Sequence, residues 1–388
     1  MKKILITISI IALLMSCSKT DKQNKEDENI TNDVQVIKNK FKPADPNLQI
    51  IPKLVLSIND IADDGTENFQ RLQQISVADD GNIYVSDGGT FSIRKFDSSG
   101  KLLASFGKQG NGPGEFSMIS AGIAAGVDKI YIPDPMTQTV NIFDNEGVFI
   151  EKINTMAIGV GMITMPSIMG NGDFISYVTQ VEQKDSKIIL KNSLKILDDK
   201  FSKKSQIWSL DLSFDPTDIS KMMSMGNDFP ALAFSKGEVF VSKSGVDRFE
   251  ITAYDLTGKE KYKIQLPYRK LKYSQKELDT INEKMKSFGD DNVQHYMEGF
   301  KFEETYKKVI SAMYFDGKGR LWVAKANEID ENEDIELVKL DIFKDGIYQN
   351  TIELKDSDGN LINGMIQVKG NRIYSLSQDD NKIKIYEF

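Results

Sequence analysis

Thiols and imidazoles are almost missing from this chain. Its 388 residues hold one cysteine, Cys17, and one histidine, His295. A lone Cys forms no internal disulfide, and one Cys with one His cannot furnish three His or Cys ligands for a zinc centre. A Ser-His-Asp arrangement would have to use His295, and no G-x-S-x-G nucleophile elbow occurs. Long apolar runs are also lacking. The run Ile4–Met15 has 12 residues, short of the roughly 20 that a membrane-crossing helix needs. Positive charge is in deficit, with 49 Lys and Arg against 57 Asp and Glu, a net −8 at pH 7. That balance argues against nucleic acid and against anionic lipid as electrostatic partners.

What is present begins at the N-terminus. Lys2 and Lys3 precede the apolar run, the pattern of an export signal over residues 1–16. Leu14-Met15-Ser16-Cys17 resembles the lipobox of bacterial lipoproteins. The resemblance implies cleavage before Cys17 and lipidation of that residue. Ser18, in place of an aspartate, implies retention at the outer membrane of a two-membrane cell. Removal of Lys2 and Lys3 takes the net charge from −8 to −10. The following SKTDKQNKEDENITND, residues 18–33, cannot build a core. Residues 17–47 are accordingly expected to be a lipidated cysteine and a disordered tether, and 48–388 the folded domain.

The folded part repeats. GNIYV from Gly81 recurs as DKIYI from Asp128, GDFIS from Gly172, GEVFV from Gly237, GRLWV from Gly319 and NRIYS from Asn371. The third-place residues Ile83, Ile130, Phe174, Val239, Leu321 and Ile373 are spaced by 47, 44, 65, 82 and 52 residues. A four-stranded propeller blade takes roughly 40 to 50 residues, so two intervals carry insertions. An apolar-acid pair closes a later run in each copy: Phe96-Asp97, Phe143-Asp144, Leu197-Asp198, Tyr254-Asp255, Leu340-Asp341 and Tyr386-Glu387. Gly100, Gly147 and Gly258 follow three of these at turn spacing. Six such units bury one another when arranged radially. The last copy ends at its third strand, and the run Leu48–Ile58 has no partners of its own. The expected fold is therefore all-β: a six-bladed β-propeller of four-stranded blades, closed by an N-terminal strand.

The stretch NIYVSDGGTFSIRKFDSSGKLLASFGKQGNGPGEF resembles an NHL repeat, and KIYIPDPMTQTVNIFDNEGVFIEKI resembles it more weakly. The chain as a whole is similar to the TolB-like six-bladed propeller lipoproteins of bacterial envelopes. The likeness implies a fold and an envelope location; the architecture hosts unrelated activities. The glycine-rich GKQGNGPGEF, residues 107–116, lacks the Gly-Lys-Ser/Thr of a phosphate loop and leads to a strand, so it is expected only to turn the chain.

The 82-residue interval holds a helical insert, 268–309, between blades four and five. Ser274 and Glu277 form a capping box, Leu278, Ile281, Met285 and Phe288 recur at helical spacing, and Gly289 stops the helix. A second helical stretch is expected from about Phe302 to Val309. The insert packs on the rim, covers the channel mouth or docks a partner. It shares a face with the loops Ser86–Ser92, Asp134–Thr139, Val178–Lys187, Lys243–Arg248, Lys325–Asp334 and Gln378–Lys382. Asp87, Phe91, Asp134, Met136 and Arg248 are the candidate binding residues there, although Asp87 and Asp134 suit bracing of their own turns better than contact with a ligand. The favoured function is a membrane-anchored extracytoplasmic propeller that binds an envelope protein, peptide or glycan on this face. The alternative is a calcium-dependent, lactonase-like hydrolase or lyase, because calcium needs only oxygen ligands. The acidic runs DENED from Asp330 and DSDGN from Asp356 do not fit EF-hand spacing. A passive scaffold is a third reading. No cofactor is called for. An axial cluster of carboxylates would favour the enzyme, an apolar or aromatic groove beside the insert a peptide or protein, and aromatic platforms with amides a sugar.

Overall fold

The computed structural model describes residues 34–388 apart from 63–64, 66, 216–227, 236, 287–301, 303–304, 329–336 and 379. Cys17, residues 18–33, Gly289 and His295 therefore lie outside the described residues, as do the side chains of 284–286.

Six antiparallel four-stranded sheets form a propeller ring: blade one spans 72–106, blade two 124–154, blade three 162–214, blade four 232–265, blade five 310–353 and blade six 365–387. The repeated GNIYV-type run is the second strand of each blade. It is sandwiched between neighbours, so its residues are buried on both faces, as in Ile83–Asp87. The outer strand Leu102–Phe106 touches a neighbour on one face and alternates instead. All six third-place residues are at most 2% exposed. Their faces sort by blade. Ile83 and Val85 pack with Ile383 and Ile385 of blade six, whereas Tyr84 packs with Ile130 and Phe143 of blade two. Corresponding clusters join blades two and three, three and four, four and five, and five and six.

The ring is closed as expected. Lys53–Asn59 pairs antiparallel with Lys382–Glu387 and supplies the missing fourth strand of blade six. Residues 35–47, expected within a disordered tether, instead run against the ring. Gln35–Lys38 forms a parallel fifth strand on the outer edge of blade four, against Tyr262–Gln265. The chain then crosses the edge of blade five, where the N–H groups of Ala44 and Asp45 donate to the carbonyls of Tyr348 and Gln349. Residues 35–59 thus form a belt over three consecutive blades. Residues 35–47 bury little side-chain surface, and Gln35–Lys38 is held by backbone pairing, which composition does not record.

The Asp-x-x-Gly turns form as the pattern predicts. The Asp97 carboxylate accepts the N–H groups of Ser99 and Lys101 at 2.9 and 3.0 Å, and Gly100 has φ 87°. Gly147 and Gly258 repeat this at φ 85° and 89°. Blade five departs from it. Leu340-Asp341 lies early in the strand Lys339–Lys344, and the turn is Asp345-Gly346, with φ 50° and 77°. A two-residue Asp-Gly hairpin replaces the longer turn there. The expected loop Val178–Lys187 is also mostly strand. Phe174–Lys184 and Lys187–Leu197 pair to a two-residue turn at Asp185-Ser186.

The glycine-rich stretch bonds to itself. Lys108-Gln109 pairs in parallel with Glu115-Phe116, Gly110 N–H donates to the Phe116 carbonyl at 3.0 Å, and Gly112 N–H donates to the Glu115 carboxylate at 2.8 Å. A Cβ on Gly107 would sit 2.4 Å from the buried Phe116 ring, so the chain turns where no side chain fits.

The insert is anchored by a stem. The capping box forms in both directions: Ser274 N–H donates to Glu277 Oε2 at 2.8 Å and Glu277 N–H to Ser274 Oγ at 3.3 Å. It opens helix α1, Gln275–Lys286. The second helical stretch is not a helix in its described residues. Lys272 and Tyr306 form an antiparallel bridge, with Lys307 N–H donating to the Leu271 carbonyl at 2.8 Å. Val309 then enters the core fully buried, so 268–273 and 305–309 are structural parts of the propeller rim.

Candidate binding clefts beside the insert

The five residues singled out from sequence do not converge. Asp87 is fully buried, and its carboxylate accepts the N–H groups of Arg71, Gly89 and Gln70 at 2.9, 3.0 and 3.1 Å, with Thr90 Oγ1 at 2.9 Å. Burial alone would raise its pKa, but these donors together outweigh it and hold the carboxyl below its ordinary value. Asp134 is buried likewise and accepts the N–H of Ser117 at 2.7 Å and of Met136 at 3.1 Å. Both aspartates tie the start of their own blade to the turn after its second strand. Phe91, at φ 54°, packs on the cluster between blades one and two, and Met136 is half-buried beside Asp134. Arg248 is exposed on blade four, 3.9 Å from Glu250.

The inner strands of five blades, with Gly122 and Ile123 leading into that of blade two, line an axial cavity of about 300 Å³. Its polar lining is Gln74, Ser76, Ser167, Tyr314 and Gln367, and the rest is apolar. No carboxylate lines it, and among the described residues no three His, Cys, Asp or Glu side chains are grouped to hold a metal.

Two adjoining clefts lie instead where the insert stem meets blades four and five, sharing the ledge Lys325–Glu328. The insert face is identified by its contacts: Val309 N–H donates to the Gly245 carbonyl, Lys270 pairs with Asp247 at 2.9 Å, and Arg269 pairs with Glu328. All reach the loops after second strands. The larger cleft, about 530 Å³, is walled by Phe41, Pro267, Tyr268 and Leu271. Phe41 comes from the belt and is 59% exposed, with the Lys325 ammonium 4.4 Å from its ring centre. Lys325 is held in turn by the buried Asp341 at 2.5 Å.

The smaller cleft, about 310 Å³, is polar. Lys307, Lys308, Lys325 and Lys339 line it, with Glu277, Ser311 and Asn327. Lys307 bonds Glu277 at 2.5 Å and the Asn327 carbonyl at 2.7 Å, so the capping carboxylate of α1 is also fastened to the stem. Burial pushes the Lys308 ammonium down to about 8, against the opposing pull of Asp228. Asp228 is itself raised by burial. A desolvated ammonium bordering a cleft can receive an anionic group, because a charge-assisted bond from the ligand offsets the hydration that burial removes. The sequence carried one sign of this site. Tyr268-Arg269-Lys270-Leu271-Lys272-Tyr273 and Tyr306-Lys307-Lys308-Val309 intersperse basic with aromatic or apolar residues, and they become the two sides of the stem.

No family model and no curated protein matches the chain. Solved structures do. A Bacteroides fragilis NCTC 9343 protein inferred to be exported is 12% identical, with a TM-score of 0.51 over 91% of this chain and 99% of that one. A DUF4221-family member from Bacteroides vulgatus is 12% identical at TM-score 0.44, covering 87% of this chain and 97% of that one. A virginiamycin B lyase from Staphylococcus aureus is 12% identical at TM-score 0.40, covering 87% and 99%. What the likeness to the Bacteroides fragilis protein shows, at 12% identity, is a shared fold alone.

Proposed function

We propose that this chain is an exported propeller of the NHL-like and TolB-like kind, held to a bacterial envelope membrane through a lipid on Cys17. It binds a peptide or protein segment in the twin clefts beside its insert. Outer-membrane retention follows from Ser18. The observation that carries the binding reading is the aromatic and apolar cleft of Phe41, Pro267, Tyr268 and Leu271 adjoining the insert stem. An exposed aromatic wall in a concave site favours an apolar side chain of a partner. Its position, between two blades and an element outside the repeat, suits a surface added for recognition.

The test is site-specific photocrosslinking in intact cells. A crosslinking residue in place of Asn327 is expected to give a discrete protein adduct. The same residue in place of Ser98, on the exposed turn at the opposite face, is expected to give none. Equal adducts from both positions, or adducts from Ser98 alone, would contradict the reading. Membrane partition of a Cys17→Ala protein tests the anchor separately, with loss of partition expected.

A further inference from the structure

The two clefts differ in chemistry, and they touch. One is apolar, with Phe41 and Tyr268 as walls. The other carries four lysines. The ledge Lys325–Glu328 belongs to both, so an extended ligand lying across it enters each.

Among the described residues the charges of this ledge are unevenly matched. Lys307 is paired with Glu277, Lys325 with Asp341 and Arg269 with Glu328. Asp228 is the carboxyl that acts on Lys308, and burial drives that carboxyl toward its neutral form. An ammonium in a desolvated cleft is costly unless it is paired, and a charge-assisted bond from a ligand would offset the cost. A basic ligand would meet the same cations as repulsion.

Resting on the twin-cleft reading above, we infer that the recognised segment carries an acidic side chain beside an apolar one. The apolar group fills the Phe41–Tyr268 cleft and the carboxylate meets Lys308 across the ledge. In an extended peptide, side chains two residues apart share a face about 7 Å apart, which suits neighbouring pockets. The partner is thus a protein or peptide with an exposed apolar-acidic motif; a neutral glycan offers Lys308 no counter-charge.

The experiment is a ligand-observed NMR titration of the purified full chain. The probes are acetyl-Phe-Glu-amide and acetyl-Phe-Gly-Glu-amide, each with a Gln and a Lys counterpart. The acidic probes are expected to bind at least about tenfold tighter than the Gln forms, with the Lys forms weakest, a difference of about 1.4 kcal/mol. Lys308→Gln should bring the acidic probe down to the level of the Gln probe. Phe41→Ala, at an exposed position, should weaken acidic and Gln probes by the same factor. Equal binding of Glu and Gln probes overturns the acidic-group inference and leaves the clefts standing as the site. Failure of all six probes to bind overturns the site reading and the inference together.

Discussion

The side-chain oxygen of Asn39 accepts the backbone N–H of Tyr348 at 2.9 Å, across 309 residues of sequence. The Nδ2 of the same side chain donates to the carbonyl of Gly346 at 2.9 Å and to that of Gln265 at 3.3 Å. Asn39 therefore rivets the belt to blades four and five at once, just before Phe41 enters the cleft wall. Asn39→Ala removes these bonds without touching the ring closure. It is expected to release the belt by about 1–3 kcal/mol, with a much smaller shift in global Tm. Limited proteolysis within residues 35–47 should quicken roughly tenfold or more, and a proteolysis rate equal to wild type would contradict the rivet.

Closure makes a different demand. Ile58 is 3% exposed and joins Leu376, Ile383 and Ile385 of blade six to Ile83 and Val85 of blade one. Ile58→Asp places an unpaired charge in that seam and should destabilise the whole ring by about 3 kcal/mol or more. Chemical denaturation should show a lower midpoint for every probe of structure. A loss confined to the N-terminal strand would mean that the ring does not depend on it.

The Asp87 brace predicts an acid limb. Its folded pKa lies below the ordinary 3.8, so its contribution is present above that value and is lost as pH falls through the lower folded value. Asp87→Asn keeps the shape but loses the ionised acceptor, at a cost of about 2–3 kcal/mol near neutral pH. Stability of the wild type should decline below about pH 3.8 toward that of the variant. Parallel curves down to pH 2 would show that the brace does not depend on ionisation.

Lys308 should cost stability. Its ordinary pKa of 10.5 falls to about 8 in the folded chain. The unfolded chain then binds more protons between these values, so stability attributable to this group rises as pH increases from about 8 to 10.5. Lys308→Gln removes the desolvated charge and should stabilise the protein at pH 7 by on the order of 2 kcal/mol. The same change is expected to weaken binding of acidic peptides, the mark of a residue kept for function at the expense of stability. A thermal midpoint at or below that of wild type at pH 7 would contradict the assignment.

The repeat was legible because the same physics recurs six times. A strand buried on both faces must be apolar, hence Ile83, Ile130 and their counterparts, and a tight turn needs Asp and Gly at fixed offsets. Where a blade solved the turn differently the pattern misled: Leu340-Asp341 has the right letters, but Asp345-Gly346 makes the turn. The belt was illegible because Gln35–Lys38 contributes a ladder edge and little burial. The candidate site was half legible. The insert and its face were readable from spacing and caps, and Asp87 and Asp134 are the internal braces that their places after the second strand suggested. Phe41, Tyr268 and Lys308 border one ledge only because the belt and the two sides of the stem, far apart in sequence, converge on blade five.

The partner is predicted to lie between the insert stem and blades four and five. Amide hydrogen exchange of the protein with and without its purified crosslinked partner measures this directly. Slowed exchange is predicted for 267–273, 305–309 and 325–328, with no change at the turn 97–100. Protection at that turn or along the outer strand of blade one, with the stem unchanged, would contradict it.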